Sequence, residues 1–218
     1  MPSYAGIDLT CSSKKRSAYA LLRTCGSSHH AVRIDRLLSP NEDSEIIAAI
    51  ERDRPILTGI DAPLSLPRSL HCLNDACSCL DSPDIKGRQC ERELAMQRIP
   101  CFFTTKRSII RGMVNRSLNI KGRLSNLGFG VIEVYPYASK VRLWGKDAQI
   151  PRKTTAHGIS FLKDHICRTI AGIEEYQHLN HDQYDAIVAA YTACLHHEGL
   201  TELIGDPDEG QIAIPRGS

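Results

Sequence analysis

The sequence predicts an α/β fold: a mixed five-stranded sheet flanked by helices, with a Cys-rich, basic insertion after the fourth strand. Three observations lead there. Three strand-like runs open the chain in succession, an amphipathic helix and a fourth strand follow, and helical periodicity then alternates with short apolar runs. The 218 residues suffice for one domain over 1–218, with 63–105 as an insertion within it.

Tyr4–Thr10 is a buried run whose strand ends at Asp8, and Ser17–Arg23 and Ala31–Leu38 are two more strands joined by a polar turn at Gly26-Ser27-Ser28. Ser39 or Asn41 then caps a helix with Ile46, Ile47 and Ile50 on its apolar stripe, and Pro55 closes it. Ile56–Ile60 is the fourth strand, ending at Asp61. From Pro63 to Phe103 the chain is irregular, with one short helix near Glu91–Arg98. Ser108–Leu127 reads as helix, although Gly112 and Gly122 each weaken it by about 1 kcal/mol. Gly130–Tyr135 is the fifth strand, and Pro136 to Lys153 a basic loop. Thr154 or Thr155 caps a helix running to about Ile170, Asp182–His197 is the last long helix, and Gln211–Ile214 is a short terminal strand.

Composition narrows the function. The opening MPSYAGIDLT has no basic stretch followed by an apolar one. No apolar run approaches the roughly 18 residues of a spanning helix, so a cytoplasmic protein with no membrane partner is expected. Nine cysteines, an odd and unevenly spaced set, fit reduced thiols or metal ligands better than a disulfide framework. Net charge is +2, but it is segregated. Residues 1–85 carry 9 Lys/Arg against 11 Asp/Glu, residues 86–153 carry 15 against 4, and residues 154–218 carry 3 against 10. Acidic flanks around a basic middle suit carboxylates that bind metal beside a surface that binds phosphate. An ordinary solvated basic face has the same composition.

Acids stand where the chain should be buried: Asp8 in YAGIDLT, Asp61 in LTGIDAPLSLP, Glu133 in VIEVYPY, and Asp182 and Asp185 in NHDQYDAIVAAYTA. Aspartate is depleted in strands, and an ionised carboxylate removed from water must be paired or hold a cation. Each acid alone could cap a turn or answer a helix dipole; together they point to a metal site. Asp182 and Asp185, three apart, share a helix face. Lys106, Arg107, Lys121 and Arg123 are the candidate phosphate contacts, against the blander reading of a solvated helix face.

Three strands, a helix and a strand, with acids at these positions, resemble the RNase H-like fold in the arrangement of the RuvC-type resolvases. More closely, GIDAPLSLP, CERELAMQRIP, EVYPYASKVRLWG and NHDQYDAIVAAYTA resemble the family called domain of unknown function 429, described as predicted nucleases of that fold. The resemblance covers nearly the whole chain. It implies that Asp8, Asp61, Glu133 and Asp185 are catalytic residues that bind Mg²⁺ or Mn²⁺, with Asp182 an additional or alternate ligand in the same catalytic set. It also implies that nucleic acid, DNA or RNA, is the partner. Asp61 stands where the resolvases use Glu, and the shorter side chain could alter the spacing between two metals.

His71, Cys72, Cys77, Cys79 and Cys90 crowd the insertion, and Cys72, Cys77, Cys79 and Cys90 are the candidate ligands of a structural Zn²⁺. Paired C-x₂-C knuckles are absent, so free thiols stay open as the alternative. Cys11, Cys25, Cys101, Cys167 and Cys194 are expected as small core fillers, with Cys11 close to Asp8. Two other functions compete. An actin-like ATP-binding phosphotransferase shares such a sheet, but Asp8-Leu9-Thr10-Cys11-Ser12-Ser13 lacks the glycine-rich phosphate turn. A nucleic-acid-binding protein of this fold without catalysis is the other.

Overall fold

The computed structural model describes residues 1–11, 15–25, 31–80, 85–145 and 149–217. The turn expected at Gly26-Ser27-Ser28 lies outside them. Strands β1 (Ser3–Asp8), β2 (Ala18–Thr24) and β3 (Val32–Leu38) form an antiparallel meander. Helix α1 (Asp43–Asp53) leads to β4 (Leu57–Asp61), which lies parallel to β1. Then come α2 (Gln89–Met96), α3 (Arg111–Asn126), β5 (Val131–Val134), α4 (Pro136–Trp144), α5 (Ala156–Ile166), β6 (Ile170–Ala171), α6 (His181–His197), β7 (Thr201–Ile204) and β8 (Ile212–Pro215).

The sheet order is β6-β3-β2-β1-β4-β5-β8-β7, and its centre, β3-β2-β1-β4-β5 with β4 and β5 parallel to β1, is the RNase H-like arrangement. The sheet has eight strands: the five expected, the terminal strand read at Gln211–Ile214, which is β8, and the unforeseen β6 and β7. β8 continues the parallel side, the four-residue β7 pairs antiparallel with it, and the two-residue β6 extends the opposite edge. Strands this short are held by their neighbours and leave little periodicity to read. Two smaller expectations also change. The α1 cap is Glu42, without a side-chain cap bond. The stretch read as a basic loop after Pro136 begins with α4, which has proline in its first turn, where a missing N–H costs nothing.

The sheet is covered on both faces. On one, Ile46, Ile47 and Ile50 of α1 and Ile120 and Leu124 of α3 pack on Ile7 and Ile60. On the other lies α6, in which every residue from Tyr184 to Leu195 is buried. An amphipathic helix would bury one stripe; α6 is enclosed because α4 and α5 pack against it on the side away from the sheet. Small residues let it come close. A Cβ at Gly6 would stand 2.0 Å from the Ala186 carbonyl oxygen, and one at Gly59 2.6 Å from that of Ala189. Among the described residues no helix is long and apolar enough to cross a membrane.

Candidate metal centre and its cleft

Asp8 is the last residue of β1 and Asp61 the last of β4, and the two are register partners in the parallel pair. Register partners point to the same face, here the face that α6 covers. Asp185, in the second turn of α6, descends onto them. Each of the three aspartates offers an oxygen within 4.8 Å of the others. Burial first, then the charges of Asp61 and Asp185, push the Asp8 carboxyl well above its ordinary range. Among the described residues its buried Oδ2 has no hydrogen-bond partner. Burial, followed by Asp185, lifts Asp61 to about 7.

Asp185 behaves oppositely. Burial would raise it, but two lysines hold it below the ordinary value. The Lys140 ammonium, itself buried, donates to Oδ1 at 2.6 Å, and Lys153 pairs with Oδ2. The Lys153 ammonium also interacts with Asp8 and Asp61, so a lysine stands among all three carboxylates. Oxygen donors of this kind, one of them an orphaned buried atom, fit a hard divalent cation such as Mg²⁺ or Mn²⁺.

The raised Asp61 carboxyl gives a pH prediction with a definite sign. A folded-state pKa above the unfolded one means that the native state binds the proton more tightly. That stabilisation is present at low pH and lost as pH rises through about 7. In EDTA the melting temperature should therefore fall as pH rises from about 4 to about 7 and level off above that, Mn²⁺ should oppose the fall, and Asp61→Asn should lessen it. Asp8→Asn in EDTA near neutral pH should be as stable as the parent, or more so by about 0.5–2 kcal/mol. If both variants melt well below the parent in EDTA, and the parent ignores Mn²⁺, the acids are structural.

Glu133 does not join the three aspartates, and sheet register is the reason. Its partner on β4 is Ile60, so it points to the face opposite Asp61. There Arg88 forks onto it, Nη1 to Oε2 at 2.7 Å and Nη2 to Oε1 at 2.6 Å, and the Leu64 N–H donates to Oε2. Arg88 also donates to Glu91 at 2.9 Å and to Ser65, leaving its guanidinium 1% exposed. Asp182 lies one turn before Asp185, half-exposed, and pairs with His181 at 2.7 Å instead.

The four basic residues expected to meet phosphate lie in different settings. Lys106 donates to the Cys77 carbonyl and Lys121 to that of Leu64, each at 2.8–2.9 Å, while Arg107 and Arg123 are exposed. The acids open into a cleft of about 710 Å³ whose cations are Arg88, Lys140, Arg152 and Lys153, with Phe102, Ile110, Met113, Tyr135 and Tyr137 along its walls. None of those four cations was singled out from sequence. Lys140 could have been: it follows the helix-starting Pro136 by four residues, on the same helix face. Cys11 also lines the cleft and is exposed; among the described cysteines only Cys90 and Cys194 are buried. Cys90, expected beside the other thiols, packs in α2 against Leu94, Ile99 and Ile212. Its place beside Cys72, Cys77 and Cys79 is taken by His71.

A sheet centred on β3-β2-β1-β4-β5, with helices on both faces, gives the chain an RNase H-like fold, and aspartates close β1 and β4 beside a third near the start of the last long helix. The chain belongs to the family described as Protein of unknown function (DUF429), which matches residues 6–210. Among solved structures it is similar to Thermus thermophilus RuvC, at 13% identity and a TM-score of 0.49 over 90% of this chain and 96% of that one. It is also similar to T. thermophilus RuvC in complex with a Holliday junction substrate, at 14% identity and a TM-score of 0.46 over 91% and 97%. No curated protein matches.

Proposed function

We propose that this protein is a divalent-metal-dependent nuclease that hydrolyses phosphodiester bonds of DNA or RNA. The convergence of Asp8, Asp61 and Asp185 from three separate elements carries the reading. Like charges brought together in a buried place cost stability, and a cation that offsets the cost is the simplest reason to keep them. Bound Mg²⁺ or Mn²⁺ would supply a Lewis acid for the phosphoryl group and, by lowering the pKa of water, a better nucleophile at neutral pH. The residues do the rest. Asp8 and Asp61 would hold the ion, Asp185 would complete the set once its lysines yield, and Arg152 and Lys153, which line the cleft, would meet phosphate oxygens.

A second reading is nucleic-acid binding without catalysis. It is favoured by the cations that already neutralise the acids, Lys140 and Lys153 on Asp185 and Arg88 on Glu133. One experiment separates the two. Purified protein is incubated with single-stranded, duplex, hybrid and branched substrates in Mg²⁺ and in Mn²⁺, beside Asp61→Asn. Cleavage that requires metal and disappears in the variant is the expected result. Binding without cleavage would select the second reading, and neither binding nor cleavage would sink both.

A further inference from the structure

The segment between β4 and α2 contains no helix or strand among its described residues. Its own apolar core is small: Leu70 and Leu73 meet Ile110 and Val114, with Leu66, Cys79, Met113 and Leu118 at the margin. Yet four soft ligands face one another within it. Atoms of His71, Cys72, Cys77 and Cys79 all lie within 4.8 Å of one another. Cys72 Sγ is 3.9 Å from Cys79 Sγ, and Cys77 Sγ is 3.6 Å from His71 Nε2. In a tetrahedral zinc site, with bonds of about 2.0–2.3 Å, neighbouring ligand atoms are roughly 3.5–3.8 Å apart. The observed separations are close to the edges of that tetrahedron. They are far from the roughly 2.05 Å of a disulfide.

We infer that His71, Cys72, Cys77 and Cys79 form a closed, structural Zn²⁺ site that holds this segment in shape. Nine consecutive residues supply all four ligands, so metal binding and local folding are one event. The surroundings suit the charge. Three thiolates on a divalent ion leave one net negative charge, and the Lys106 ammonium lies beside it, donating to the Cys77 carbonyl at 2.8 Å. Arg111 ties the same loop to α3 through Asp75 at 2.5 Å. The site also has a structural reach. Cys79 packs in the small core with Ile110 and Met113, and those two side chains form part of the cleft wall in front of the aspartates. Zinc would thus brace one wall of the cleft from behind, with four protein ligands and no open position for chemistry.

The test begins with elemental analysis of the full chain, purified without added metal or chelator. About one equivalent of zinc is expected, retained in Cys90→Ala and lost in the Cys72→Ser/Cys79→Ser double variant. Because the double variant could fail to fold, the wild type is examined as well. Co²⁺ exchanged into it should produce thiolate-to-cobalt charge-transfer absorption, and three thiols should resist a thiol reagent until a zinc chelator is added. Zinc below roughly a tenth of an equivalent, with all these thiols reacting freely, would overturn the site. So would zinc that survives the double cysteine change but is lost in Asp8→Asn. An intact mass lowered by a disulfide between Cys72 and Cys79 would overturn it too. These outcomes are independent of the nuclease assay, since a zinc-braced loop and an inert acidic cluster can coexist.

Discussion

Replacing Arg88 with methionine is expected to destabilise the protein by about 3–5 kcal/mol. Its guanidinium is 1% exposed and serves two buried carboxylates, Glu133 through both oxygens and Glu91 through one. Methionine fills much of the volume but answers neither charge, and an uncompensated buried carboxylate is the costly outcome. The loss should be unevenly shared. Glu91 keeps the Thr104 N–H and hydroxyl, whereas Glu133 retains the Leu64 N–H. Changing Glu133 to Gln in the Arg88→Met background should therefore recover a substantial part of the stability. Denaturant melts of the parent, both single variants and the double variant form the cycle that reads this coupling. An Arg88→Met protein as stable as the parent would mean that the buried network contributes nothing. The same variant should also loosen the cleft, because Arg88 joins the loop after β4, through Ser65, to β5 and α2.

Gly6→Ala should be at least as damaging. The added Cβ would stand 2.0 Å from the Ala186 carbonyl oxygen and 2.2 Å from the Ala190 nitrogen, both backbone atoms of α6. A side chain could swing aside; a helix backbone in a filled core cannot, so the cost should exceed the about 1–3 kcal/mol of ordinary overpacking. If the variant still folds, α6 must have retreated from the sheet and carried Asp185 away from Asp8 and Asp61. Mn²⁺ should then raise its melting temperature less than it raises the parent's. Gly122→Ala is the control. Nothing lies within 4 Å of a Cβ there, so this helical substitution should be neutral or stabilising. Equal effects at the two glycines would contradict the packing described for α6.

Much of this was legible in the residues, and the boundary is instructive. Asp8, Asp61 and Asp185 stood out because each interrupts an apolar context, and that local contrast survives folding. Glu133 has the same local appearance in VIEVYPY, but its role depends on whether Asp61 or Ile60 is its neighbour across β4. A register shift of one residue reverses the face, and that register is set by packing far away in sequence. The partners of these acids were harder still. Arg88, Lys140 and Lys153 are charged residues in a basic stretch, and burial at a carboxylate is what distinguishes them. The cysteines divide along similar lines. Spacing grouped Cys90 with the other thiols, while the α2 helix turns it into a core of Leu94, Ile99 and Ile212. Strand β6 escaped notice because two residues give no usable alternation.

The position of Lys153 has a further consequence. A cation approaching the three aspartates does not enter an empty anionic pit; it meets an ammonium already tethered there on the segment before α5. If the aspartates take the divalent ion proposed above, loading would be an exchange between two positive charges, one mobile and one covalently attached at high effective concentration. The tether discriminates by valence, since a monovalent ion gains little by displacing an ammonium of equal charge and a divalent ion gains more. Such a site would load only where divalent ions are concentrated enough to displace the ammonium, and would favour them over monovalent ions.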